Sequence, residues 1–169
     1  MVDDKGPRGL PRRGVLAGAA GAALLGTGRG VAAPGKAAPV APPRLREFRL
    51  TPREASVPIV GDGYPDTGVW AYDGVVPGPE IRVRQGDRVR VVVENRLGEE
   101  TTIHWHGLRV PNAMDGVPGL TQPPIAPGGS FVYEFDALDA GTFWYHPHAR
   151  SFEHVERGLA GALAVEEAG

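Results

Sequence analysis

From Leu45 onward the chain is a series of short alternating runs broken by glycine and proline. Residues 45–51 alternate between apolar and charged positions over most of their length. Val69, Trp70, Ala71 and Tyr72 lead into Asp73-Gly74, a turn signal. Residues 75–80 contain Pro77 and Pro79 and are expected to form a loop, because proline cannot donate to a central ladder. Residues 81–84 alternate, Gln85-Gly86 turns, and residues 87–95 give the strongest strand pattern in the chain. There the valines should pack inward. Arg82, Arg84, Arg88 and Arg90 read as a solvent-facing strand surface rather than an anion site. Residues 101–106 make the next strand, followed by a long loop over residues 109–129. Loops of that length are usually functional or disordered. Residues 130–137 place Phe131, Tyr133 and Phe135 on one core-facing side. Residues 141–146 form an apolar strand, residues 149–158 a short helix or loop, and residues 159–165 a closing buried strand. No stretch has a long helical period. The expectation is an antiparallel β-sandwich of about seven or eight strands over residues 45–167.

The first 44 residues are different in kind. Pro11-Arg12-Arg13-Gly14-Val15-Leu16-Ala17 opens an Ala/Gly/Leu run to about Gly28. Paired arginines ahead of a weakly apolar run read as a twin-arginine-type export signal over residues 1–33. The run is short for a membrane anchor, which needs about 20 apolar residues. Residues 34–44 are a Pro/Ala-rich linker with no fixed structure expected. These features predict a periplasmic or extracellular protein, with no membrane attachment after signal cleavage.

Composition narrows the chemistry. The chain has 169 residues, 25 glycines, 17 prolines and no cysteine. A disulfide framework and any thiolate metal site are therefore excluded within it. The formal charge is −2, and without residues 1–33 there remain 13 basic and 18 acidic residues, a net charge of −5. That balance argues against a nucleic-acid partner.

Four of the five histidines lie in two His-x-His stretches, His104-Trp105-His106 and His146-Pro147-His148. In a strand, residues i and i+2 share a face and stand about 6.6–6.8 Å apart. Two such strands side by side would bring four imidazoles to one place. Imidazoles without clustered thiolates or carboxylates suit copper or zinc. Trp105, Trp144 and Tyr145 are placed to wall such a site. A hydrolytic zinc site held by three histidines usually needs a nearby general base, and the sequence singles out none.

At this level the chain resembles a known family. Thr102-Ile103-His104-Trp105-His106-Gly107-Leu108, the loop Met114-Asp115-Gly116-Val117-Pro118 with residues 121–128, Gly141-Thr142-Phe143-Trp144-Tyr145-His146-Pro147-His148, and Arg157-Gly158-Leu159-Ala160-Gly161-Ala162-Leu163 are similar to the first cupredoxin domain of multicopper oxidases. Laccases and bacterial copper or metal oxidases belong to that family. The resemblance covers about residues 45–167. It implies an all-β, cupredoxin-like Greek-key sandwich. It implies further that His104 binds a type 2 copper, and that His106, His146 and His148 bind type 3 coppers, in a trinuclear cluster that reduces O2 to water. Asp115 takes the role of an acid beside the cluster that helps proton delivery, against the plainer reading of an Asp-Gly turn. His154, where relatives often carry Gln, is read as lying on the surface or beside the cluster, not as a ligand.

The departures from the family pattern matter equally. A complete enzyme of this type has eight cluster histidines and a type 1 copper held by a cysteine, where substrate electrons enter. This chain carries four of those histidines and no cysteine. Alone it is not expected to oxidise phenols or metal ions. The expected partners are O2, an electron donor, and a further cupredoxin domain carrying the type 1 copper, in cis or in trans. Two other readings stand beside this one: a free-standing exported copper storage or delivery protein, and a cupredoxin-like structural module that binds no metal.

Overall fold

The structure is a computed structural model, and it describes residues 42–168. The export-signal reading and most of the linker lie outside those residues. Nine strands, one 3-10 turn and one short helix follow in order. The strands are β1 (Leu45–Leu50), β2 (Pro52–Val57), β3 (Thr67–Tyr72), β4 (Gly78–Arg84), β5 (Arg88–Glu94), β6 (His104–His106), β7 (Ser130–Asp136), β8 (Gly141–His146) and β9 (Gly161–Glu166). The 3-10 turn is Asn112–Met114, and helix α1 is Ser151–Glu156.

Three sheets result, with strand orders β1-β5-β7, β2-β3 and β4-β9-β8-β6. The expected β-sandwich is therefore present, with two differences. β2, which begins at a proline, lacks a clear signal in the sequence, so the strands number nine. β1 pairs with β5 in parallel, and so does β4 with β9, so the sandwich is mixed rather than wholly antiparallel. The loop expected over residues 75–80 ends early, since β4 already begins at Gly78. Pro79 is tolerated because β4 is an edge strand and its register slips between Gly78 and Ile81.

The alternating runs become the two inner faces. Val89, Val91, Val93, Tyr133 and Phe135 from the three-stranded sheet meet Ile81, Val83, Trp105, Tyr145, Leu163 and Val165 from the four-stranded one. Contact between the layers centres on Trp105, whose ring centroid lies 5.4 Å from Tyr133 and 4.9 Å from Phe135. The outer face of β5 carries two of the predicted arginines, Arg88 and Arg90, and β4 carries Arg82 and Arg84. Arg88 pairs with Glu134 and Asp136, and Arg90 with Glu47. These are exposed cross-strand pairs, each worth at most about 1 kcal/mol.

One row across the four-stranded sheet fixes how β6 and β8 sit against their neighbours. Gly78, Gly161, Tyr145 and Trp105 occupy matched register positions on β4, β9, β8 and β6. The Tyr145 ring lies where a side chain on Gly161 would be: an added Cβ would sit 2.2 Å from its Cζ. Its hydroxyl donates to the Pro79 carbonyl at 2.6 Å. The two glycines form a trough, and the tyrosine ties β8 across β9 to β4. A Gly161→Ala substitution should overpack this row and cost about 1–3 kcal/mol. A lowered midpoint in denaturant unfolding is the expected result, and an unchanged midpoint would show that the ring has room to move.

Candidate metal centre

The site follows from one strand pairing. β6 and β8 are antiparallel, with His104 opposite His146, Trp105 opposite Tyr145 and His106 opposite Trp144. Alternation sends Trp105 and Tyr145 into the core, where both are fully buried. It sends His104, His106, Trp144 and His146 to the other face. Of the aromatic residues expected to wall the site, Trp144 alone touches imidazoles. Its ring stacks on His146 at 4.0 Å and lies 5.0 Å from His106. Trp105 and Tyr145 instead form the floor beneath the strands.

The four imidazoles do converge. The His104 ring centroid lies 4.5 Å from His148, 5.4 Å from His146 and 5.6 Å from His106. His106 and His146 are 5.5 Å apart, and His146 and His148 are 5.6 Å apart. The nitrogens of His104, His146 and His148 form a group within 4.8 Å of one another. His106 stands to one side, with its Nδ1 3.3 Å from His146 Nε2. The arrangement is thus a group of three joined to a fourth imidazole through His146.

Local structure decides which nitrogens are free. His104 Nδ1 lies 2.8 Å from the main-chain oxygen of Asp115 and 3.2 Å from its carboxylate. Nδ1–H is the donor there, so Nε2 of His104 is left as a bare acceptor. His146 Nδ1 lies 3.0 Å from the Pro147 carbonyl, which likewise leaves its Nε2 bare. Orientation of a ligating imidazole through its second nitrogen is a general feature of metal sites. The 3.3 Å between His106 Nδ1 and His146 Nε2 suits two donors each about 2.0–2.1 Å from a shared ion. The donor set therefore fits a soft-to-borderline transition metal such as copper or zinc.

The loop over residues 109–129 reaches this centre through a glycine. Gly116 has a φ of +78°, and a Cβ there would fall 1.8 Å from the Ile103 carbonyl oxygen. Only glycine lets the Asp115 main chain lie against the start of β6. Farther along the loop, Ile125 forms a bridge with Thr101. Asp115 lies beside His104. Its side chain is about one-third exposed and thus touches both solvent and His104.

Burial favours the neutral form of two of the imidazoles, His146 and His148. His146 is held below the usual imidazole range by burial first, and then by its neighbours His104, His148 and His106, although its bond to Pro147 opposes this. Burial also lowers His148, with His104 and His106 adding to the effect and Asp115 opposing it. Neutral imidazole is the form that binds metal.

His154 differs from the surface position considered for it. It is fully buried in α1, with Nε2 2.8 Å from Glu99 and its ring edge-on to Trp70 at 5.0 Å. Glu99 also receives Arg150 at 2.6 Å. The pair ties α1, just beyond His148, to the loop after β5. Spacing alone gives no sign of this, because Glu99 and His154 are 55 residues apart. His154 is not among the three histidines whose nitrogens group together.

Comparison with known proteins places this geometry. The family model described as multicopper oxidase matches residues 55–169. The chain is 44% identical over 120 residues to a copper resistance protein A homolog of Pseudomonas syringae pv. tomato, covering 71% of this chain and 20% of that protein. It is 47% identical over 131 residues to dihydrogeodin oxidase of Aspergillus terreus, covering 75% and 21%. Among solved structures, the multicopper oxidase of Pseudomonas thermotolerans superposes with a TM-score of 0.71 at 47% identity, over 74% of this chain and 30% of that one. The chain thus spans about a fifth of the length of the curated relatives it matches. With its β-sandwich, its paired His-x-His strands and these similarities taken together, the chain belongs to the multicopper oxidase family.

Proposed function

We propose that this chain supplies four histidines to a trinuclear copper cluster that reduces O2 to water, with His104 on the type 2 copper and His106, His146 and His148 on the type 3 coppers. The observation that carries this reading is the split arrangement of the imidazoles. Three converge within 4.8 Å, and the fourth meets only one of them at hydrogen-bond distance. Such a set suits several ions better than one. The remaining ligands and the type 1 copper would come from a further cupredoxin domain, in cis or in trans. The share of the relatives' length that this chain spans supports that part of the reading.

Copper bound here would supply coordination positions for O2 and would pass on electrons that an external donor delivers through the further cupredoxin domain. The chain's own residues hold and orient. The Asp115 main-chain oxygen fixes the His104 ring, and the Pro147 carbonyl fixes the His146 ring. Trp144 covers one side of His146 and keeps water from that face. The Asp115 carboxylate, 3.2 Å from His104 Nδ1 and partly exposed, can take a proton from solvent and hold it next to the centre. Export through the twin-arginine-type signal would place the protein in the periplasm or outside the cell. Among the described residues no helix is long and apolar enough to cross a membrane. The exposure of His106 and His148 also favours a second reading, a protein that stores or delivers Cu(II).

Copper titration tests the site. Cu(II) added to the metal-free protein should bind at the imidazoles, and His104→Ala and His146→Ala should each weaken binding at least tenfold. Weak binding, indifferent to both substitutions, would remove the reading. Loss of copper to an apo acceptor protein without turnover of O2 in any reconstituted assembly would favour storage or delivery instead.

The depressed imidazoles make stability depend on pH. Unfolded, His146 and His148 take up protons around their ordinary value of about 6.5. Folded, both titrate lower. Between the two values the unfolded chain binds more protons, so stability rises with pH there. The metal-free protein should therefore lose stability as pH falls below about 6.5. Urea unfolding at pH 7.5 and 5.5 should show this, with a smaller difference in His146→Gln.

A further inference from the structure

The pairing of β6 and β8 stops one residue short of where it is most needed. Continued in register, the ladder would set Ile103 opposite Pro147 and Thr102 opposite His148. Pro147 has no N–H to give, and the strands end at His104 and His146. His148 is thus a ligand candidate lying outside any strand. The residue is exposed, whereas His146 is buried, so packing holds His148 less firmly.

The main chain of His148 is nevertheless held. Its N–H donates to Thr102 Oγ1 at 3.1 Å. Thr102 is fully buried, so little water competes for that bond. On the neighbouring residue a second hydroxyl does the same service: Ile103 N–H donates to the Tyr133 hydroxyl at 2.8 Å. Burial pushes the Tyr133 phenol up to about 12, so it stays protonated. Just beyond the paired residues, side-chain hydroxyls thus serve as the acceptors for these main-chain N–H groups.

We infer that Thr102 is a positioning residue for His148, holding its main chain through the Thr102 hydroxyl so that the imidazole stays 4.5 Å from His104. The inference rests on the metal site proposed above. It concerns the hydroxyl alone, because the Thr102 methyl and Cβ would pack equally well in valine.

The test uses the full chain and aqueous Cu(II). In the metal-free protein, T102V should speed exchange of the His148 amide with D2O, and T102S should keep it slow. In copper titrations T102V should bind at least tenfold more weakly, with an altered Cu(II) EPR spectrum, the scale expected when an outer partner of a metal ligand is lost. T102S should restore both. In a His148→Ala background T102V should have no further effect on copper. If T102V does not fold, T102A carries the same comparison against T102S. Unchanged amide exchange overturns the inference, as does T102S behaving like T102V, or an equal loss of copper in the His148→Ala background. Failure of the unsubstituted chain to bind Cu(II) overturns the proposed function together with this inference. Binding that T102V leaves untouched overturns only the role given to Thr102.

Discussion

Register between β6 and β8 is the constraint on which everything else depends. Side chains alternate across a strand with period two, so a slip of one residue would turn the shifted strand over, sending its site-facing imidazoles into the core and bringing its buried aromatic, Trp105 or Tyr145, out. Exposing a large aromatic side chain, worth roughly 1.5–3 kcal/mol when buried, and burying imidazoles in its place both oppose such a slip. The same residues that lock the register therefore aim the histidines. Tyr145 adds a cross-strand anchor through its hydroxyl bond to Pro79, set in a trough that only glycine at position 161 can provide.

The centre is assembled from segments far apart in sequence. β6, the loop after it and the β8 strand end each contribute, and each is held by a different device. β6 is paired. The loop is pressed against it by Gly116 and bridged to it by Ile125 and Thr101. The segment beyond β8 is held by side-chain bonds, with α1 tied back through His154 and Glu99. Hydrogen bonds to main-chain oxygens then fix how the His104 and His146 rings face. Few of these groups are charged, which suits a site whose ligands must stay neutral.

Much of this could be read from sequence because period-two patterning and His-x-His spacing are local. The β5, β7 and β8 strands, the shared face of His104 and His106 and the core stripe of Tyr133 and Phe135 follow from residues near one another in the chain, whereas the place of Asp115 is implied only by the family resemblance. Other features do not. β2 starts with a proline and has little apolar alternation, so its pairing with β3 is set by tertiary context. The parallel pairing of β1 with β5 and of β4 with β9 depends on how distant segments come together, which spacing does not encode. Pro79 sits in a strand because that strand is at an edge, and edge status is a property of the sheet. Burial of His154 likewise depends on Glu99, 55 residues away. The sorting of the three tryptophans into one at the site and two packed elsewhere is also a matter of face, legible only once the register of β6 against β8 is known.

The contact between Trp144 and His146 has an optical consequence. An indole stacked 4.0 Å from the His146 ring would lie within reach of an ion held at the proposed site. Cu(II) is an efficient quencher of indole emission at such range, whereas the filled shell of Zn(II) is not. The intrinsic fluorescence of this protein is therefore a built-in gauge of which metal occupies the His146 side of the centre, readable without a dye or a label.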